Sequence, residues 1–296
     1  MNKQIIIGVL AVILIGGGAY YFTSSKPNVA SDGHTDHTHE KETMEGMGHS
    51  KMPMMASGAK VAGTRVNIKN SSFKPGSQNL TFELFGQDGH AFNESLLKTT
   101  HEKKVHFILV SNDFSNYQNL HPKWKDNLWQ VDITLDANTG YQAYVDIDSN
   151  EDGPETLRVP VSVGTPSANT KVSQRETTLA KDGVSVKMDA PNGFLSKHEN
   201  EVTFMISQNG KKINPEIYLG AKGHVVALGD DLNTFIHGHS SEGGDSEANF
   251  AFTFDKIGTY TLFTQFKVGG VVRTYPFTVN VTEGNSTVDE SKPHYH

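Results

Sequence analysis

The chain of 296 residues contains no cysteine. That excludes disulfides, thiolate nucleophiles, cysteine-ligated zinc or iron–sulfur centres, and a blue-copper site, whose copper–thiolate bond needs one. It also removes the lipid-attachment cysteine of a bacterial lipoprotein. A basic surplus is missing as well: 33 acidic side chains against 26 Lys and Arg give a formal charge of −7. Phosphate recognition needs the opposite sign, so nucleic acid is not an expected partner. No nucleophile elbow, phosphate loop, nucleotide fingerprint or HExxH helix is written in the chain. The expectation is a non-enzyme, with a hydrolase assembled in space from scattered Ser, His and Asp left open. What the chain does have is 14 histidines, a globular composition and length for roughly two domains of about 100 to 200 residues each.

Its one long apolar run is Ile5 to Phe22 (IIIGVLAVILIGGGAYYF), behind Lys3. At about 1.5 Å per residue it just spans a hydrocarbon core of roughly 30 Å, which makes it a signal anchor or a signal peptide. A buried soluble helix would carry polar residues on one face. Asn28-Val29-Ala30 puts a polar residue where a cleavage site wants a small one, and Gly17-Gly18-Ala19 lies inside the run. An uncleaved single-pass anchor over residues 1–25 is therefore favoured, and the positive-inside rule places the bulk of the chain in an extracytoplasmic position. Residues 26–60 are rich in Ser, Gly, His, Met, Asp and Glu and cannot bury enough to order themselves, so they read as a disordered tether.

From Val61 the texture changes to short runs of Val, Ile, Phe, Tyr and Thr separated by Gly, Asn, Asp and Pro, which is strand-and-turn punctuation. Strands are predicted at 66–68, 80–84, 104–111, 128–135, 141–147 and 157–163. A second set is predicted at 184–188, 201–207, 224–228, 249–254, 260–266 and 271–281, with Gly269-Gly270 as a tight hairpin turn. The sets look like copies of one unit. VHFILVSNDFSNYQNLHP from Val105 lies over GHVVALGDDLNTFIHGHS from Gly223 at a constant offset of 118 residues. His106 falls on His224, Asp113 on Asp231, Tyr117 on Phe235, Asn119 on His237 and His121 on His239. TGYQAYVDI matches GTYTLFTQF with one residue of slippage, pairing Tyr141 with Tyr260 and Tyr144 with Phe263. The expected fold is all-β: two tandem immunoglobulin-like β-sandwiches over 61–165 and 171–283, with a boundary in GTPSANT at Gly164 to Thr170 and a disordered tail over 284–296. One large sandwich or jelly roll of both halves is the alternative.

In YLGAKGHVVALGDDLNTFIHGHS and GTYTLFTQFKVGGVVRTYPFTV, and more loosely in VHFILVSNDFSNYQNLHP, the chain resembles a family of secreted or membrane-anchored bacterial proteins. These carry tandem immunoglobulin-like domains with HxHP-type segments. The likeness covers roughly residues 80 to 280. It implies an extracytoplasmic domain pair linked to copper or other heavy metals. Two departures matter: Asn119 stands where the first-copy pattern has histidine, and Ser240 replaces the proline after His239.

In an extended strand successive side chains alternate faces, so His237 and His239, two apart, point the same way about 6 to 7 Å apart. His224, on the preceding strand, is placed to supply a third imidazole once GDDLNTF returns the chain antiparallel. The first copy offers His106 and His121, with Asn119 in place of the third. Imidazole suits Cu(II), Zn(II) and Ni(II). A half-buried structural histidine, bonded to a carbonyl or to Asp113 or Asp231, is the competing reading for His106 and His224. The tether adds His34, His37, His39 and His49 with Met44, Met47, Met52, Met54 and Met55, five of the eight methionines within 12 residues. Thioether prefers Cu(I) or Ag(I), so a flexible chain can serve either copper state, although an incidental low-complexity linker has the same composition. DIDSNEDGPE opens like a calcium loop, but Val159 holds its twelfth position, and an acidic turn explains it better. Copper is thus the expected ion, ahead of zinc or calcium. The expected function is membrane-anchored metal sequestration or delivery, with a transporter or envelope protein as partner. The alternative is a cell-envelope interaction module with structural histidines.

Overall fold

The computed structural model describes residues 63–166, 171–241 and 244–284, all within one compact unit. The expected anchor at Ile5 to Phe22, the His/Met tether with its nine candidate ligands and the tail from residue 285 lie outside the described residues. Among the described residues no helix is long and apolar enough to cross a membrane.

The chain is all-β. The first eight strands are β1 (Arg65–Ile68), β2 (Gly76–Phe85), β3 (Val105–Ser111), β4 (Tyr117–Leu120), β5 (Lys123–Lys125), β6 (Leu128–Leu135), β7 (Gly140–Ser149) and β8 (Gly153–Ser162). They form two antiparallel sheets, β1-β2-β6-β5 and β4-β3-β7-β8, the ABED and CFG division of an immunoglobulin-type sandwich with one added edge strand. The next ten are β9 (Thr178–Lys181), β10 (Val184–Asp189), β11 (Phe194–Leu195), β12 (Glu199–Gln208), β13 (Lys211–Lys212), β14 (His224–Gly229), β15 (Phe235–His239), β16 (Glu247–Thr253), β17 (Gly258–Val268) and β18 (Val271–Thr282). Here one sheet is β13-β12-β10-β9 with β16 on β12, and the other is β11-β18-β17-β14-β15, closed by a short parallel β11–β18 contact.

Period-two alternation builds each core. Leu80, Phe82 and Leu84 of β2 turn inward against Phe107, Trp129 and Val145, and Val202, Phe204 and Ile206 of β12 do the same against Phe250, Phe266 and Phe277. Trp129 is 1% exposed and its indole N–H donates to the Phe92 carbonyl at 3.3 Å. Trp129→Ala is expected to cost about 3–5 kcal/mol, seen as a lower urea midpoint, because it opens a cavity and orphans that carbonyl. The Gly269-Gly270 turn has φ of 60° and 75°, the left-handed region a two-residue hairpin of this kind demands. The acidic stretch at 146–155 is the β7–β8 hairpin, where Asp148 pairs with Lys98 at 2.8 Å and Asp152 accepts from the Gln87 amide at 3.0 Å.

Two strands break the alternation: every residue of β3 and of β14 is buried. One face of β3 (Val105, Phe107, Leu109) enters its own sandwich, and the other (Ile108, Val110) packs with Val226 and Leu228 of β14 in a separate cluster. The β4-β3-β7-β8 sheet of the first sandwich therefore lies on the β18-β17-β14-β15 side of the second, and strands covered on both faces read as continuous apolar runs. The contact is reciprocal. Tyr117 of the first copy stacks on Phe263 of the second at 4.2 Å, and Phe235 of the second stacks on Tyr144 of the first at 4.9 Å. These residues are each other's counterparts in the repeat, so the two halves meet about an approximate two-fold axis.

Candidate functional site

The histidines collect at this junction. In the β14–β15 pair His224 lies opposite His239 and Val226 opposite His237, so all three imidazoles leave the same face. One ring nitrogen from each lies within 4.8 Å of the others. Ring centroids are 4.6 Å apart for His224–His239 and for His237–His239. Rings held on one ion at metal–nitrogen distances of about 2.0–2.1 Å have centroids about 5 Å apart, so small side-chain movements would seat one. Gly238 keeps the backbone between them clear, because a Cβ there would meet the Phe252 ring at 2.7 Å.

Two of the three rings are fixed by a hydrogen bond through their other side. His224 Nε2 donates to the Tyr218 carbonyl at 2.5 Å, and His237 Nδ1 to Asp146 Oδ2 at 3.1 Å. A carbonyl accepts only, so Nε2 of His224 carries the proton and Nδ1 carries the lone pair. Asp146 belongs to β7 of the first sandwich and is itself held by the Thr156 hydroxyl at 3.0 Å. Nε2 of His237 and Nε2 of His239 are buried with no partner. Burial pushes the His224 ring down to about 4 and His239 much further below the ordinary histidine range, with neighbouring imidazoles adding to the effect. Both rings are neutral at pH 7, the form that ligates.

The first copy repeats the arrangement. His106 is 1% exposed and its Nε2 bonds to the Thr100 carbonyl at 3.0 Å, six residues upstream as Tyr218 is of His224. His106 and His121 lie edge to face at 5.1 Å, and His106 is 5.2 Å from His237. Burial lowers the first to about 4 and the second to about 3. Asp113 and Asp231 do not hold these histidines. Asp113 accepts from Ser111 and Ser115, and Asp231 from the Asn233 amide, each inside its own turn.

His101, Asp146 and Gln265 escape a reading of the motif alone. His101 is exposed and stacks on His239 at 3.3 Å across the junction. Its turn, THEK at 100–103, falls on YLGA at 218–221 at the same offset of 118, and both close by paired hydrogen bonds between their end residues. His101 and Glu102 take φ of 49° and 66°, Leu219 and Gly220 50° and 78°. Carrying the repeat five residues upstream of Val105 would have found it.

Over residues 177–283 the chain matches a family model described as a domain of unknown function, DUF8832. No curated protein matches. Among solved structures the chain is similar to the adhesin FdeC of Escherichia coli at 16% identity, over 76% of this chain and 66% of that one, with a TM-score of 0.25. It is similar to a two-domain fibronectin type-III segment of chicken tenascin at 10% identity, over 73% and 98%, with a TM-score of 0.22. A third is the domain 4 and 5 fragment of the S-layer protein SbsC at 13% identity, over 75% and 99%, also at 0.22.

Proposed function

We propose that the protein is a membrane-anchored, extracytoplasmic metal-binding protein that sequesters or delivers a transition-metal ion, copper first, through His224, His237 and His239. The observation that carries this is the convergence of three imidazoles, two of which bury a ring nitrogen with no hydrogen-bond partner. A buried acceptor without a donor costs about 1–3 kcal/mol, and a cation relieves several at once. The Asp146–His237 bond adds the carboxylate–imidazole support that metal ligands commonly have. Without sulfur ligands in the junction, histidine geometry would choose among Cu(II), Zn(II) and Ni(II). The tether's histidines and methionines would serve as a labile store, and a transporter or envelope protein would receive the ion.

The second reading is a cell-envelope interaction module in which these rings only fill the junction. It is favoured by the hydrogen bonds that hold His106 and His224 to backbone carbonyls without any ion. Metal analysis of the full chain purified without a histidine tag, then titration with Cu(I), Cu(II) and Zn(II), separates them. Metal binding predicts affinity tighter than millimolar and a loss of about 10- to 100-fold on Asp146→Asn. The module reading predicts no such binding, and partner binding that a strong chelator leaves intact.

A further inference from the structure

The approximate two-fold axis gives every ligand of the three-histidine position an image in the first sandwich. His106 answers to His224, His121 to His239 and Asn119 to His237. Asn119 lies opposite Ile108 in the β3–β4 register as His237 lies opposite Val226. The His106 and His121 rings meet at 81°, against 86° for His224 and His239. The support across the junction is copied too. The Asn119 amide N–H donates to Gln265 Oε1 at 2.8 Å, where His237 donates to Asp146. Gln265 is held by the Thr274 hydroxyl at 3.0 Å, where Asp146 is held by Thr156, 118 residues earlier. The imidazole–carboxylate pair of one side is an amide–amide pair on the other.

That pairing fixes which way Asn119 points. Its N–H is used on Gln265, so its carbonyl oxygen turns the other way, and Asn119 Oδ1 is buried with no partner. So are His106 Nδ1 and His121 Nε2. Since His106 Nε2 donates to Thr100, its Nδ1 is a lone pair, as Asn119 Oδ1 must be. The counterparts of the three-histidine ligands thus leave three buried polar atoms unmatched.

We infer that His106 Nδ1, His121 Nε2 and Asn119 Oδ1 form a second position for a divalent first-row metal ion, with two imidazoles and one amide oxygen. The inference rests on the metal-binding reading of the first position and adds a chemically different neighbour. An amide oxygen is a harder donor than imidazole, so this position favours the divalent state and disfavours Cu(I). Lys103 acts on His121 through space and opposes a cation there, which makes it the weaker of the two.

The test uses the full chain on a His237→Ala background, with Co(II) as the probe and its d–d absorption as the readout, so that the tether contributes equally to every variant. Asn119→His should tighten binding, and Asn119→Leu should weaken it, each by on the order of tenfold or more, with a changed absorption band in the first. Near-ultraviolet circular dichroism confirms folding. Unchanged affinity and spectrum in both folded variants would overturn the second position. The first position is judged separately, by whether His237→Ala alone changes Co(II) binding in a chain that keeps Asn119.

Discussion

Replacing His237 by alanine is expected to weaken Cu(II) or Zn(II) binding at the three-histidine position by about two orders of magnitude. Four-ligand structural zinc sites yield apparent binding energies of about 10–16 kcal/mol, so one ligand carries roughly 3 kcal/mol or a little more, and about 1.4 kcal/mol is a factor of ten. His237 is the sharpest single choice because its ring is tied to the first sandwich by Asp146 while its Nε2 is one of the unpartnered nitrogens. The carboxylate freed by the substitution could itself approach a cation, so His239→Ala, whose ring packs against those of His101, His224 and His237, is the companion variant. Competition against a chelator of known affinity at pH 7.5 measures both. A second readout is thermal. At metal a hundredfold above its dissociation constant, binding to the folded state adds about 2.7 kcal/mol. For a folded unit of this size that corresponds to a rise in Tm of very roughly 5–10 °C. The rise should vanish in the variants. A wild-type Tm indifferent to metal would remove the basis for the site.

Much of this architecture was legible from the residues. Each long strand announced itself by Val, Ile, Phe and Tyr between Gly and Asn punctuation, and the predicted run at 128–135 coincides with β6. The repeat offset alone puts His106 in register with His224 and His121 with His239. What was not legible were the short edge strands β4, β5, β9, β11 and β13. They are two to four residues long, for the most part exposed or half-buried, and too brief for a hydrophobic period to show. Nor was the packing of one sandwich on the other, although its trace was present. VHFILVS and HVVALG lack polar residues on alternate positions because both faces are covered, a pattern that a chain search for half-buried strands reads merely as a strong strand.

The site divided along the same line. The convergence of His224 with His237 and His239 follows from strand alternation and a short return loop, both of which are local. Asp146 and Gln265 sit on the F-type strands β7 and β17, far from the HxH segments in sequence, and meet Asn119 and His237 only because the copies face each other. A departure that in sequence looked like the loss of a ligand, Asn119 for histidine, is in space half of a matched change with Gln265 for aspartate. The His237 ring needs an acceptor on its far nitrogen and Asp146 supplies it, whereas the Asn119 amide N–H needs an acceptor and Gln265 Oε1 supplies it.

Acid should dismantle the junction of the chelator-treated protein between pH 6.5 and 4. In the unfolded chain each histidine takes a proton near 6.5. In the fold, burial holds His106 and His224 neutral to about 4, His121 to about 3, and His239 lower still. Across that interval the unfolded state binds more protons than the folded one, so stability falls as pH falls. The slope is about 1.4 kcal/mol per pH unit for each such ring. Four rings give up to roughly 5 kcal/mol per pH unit near pH 5, comparable with the whole 5–15 kcal/mol margin of an ordinary domain. The lowered carboxylates Glu83 and Asp231 act in the same direction but only below their ordinary range, so the histidine interval stands apart from them. Urea midpoints with EDTA at pH 7.5, 6 and 5 should drop steeply, and His106→Gln with His121→Gln should lose about half of the slope. A saturating divalent ion should move the transition to lower pH, since protons must then displace metal from the same nitrogens. A pH-independent midpoint would mean that the rings are already charged and hydrated in the fold, and would remove the chemical ground for a metal there.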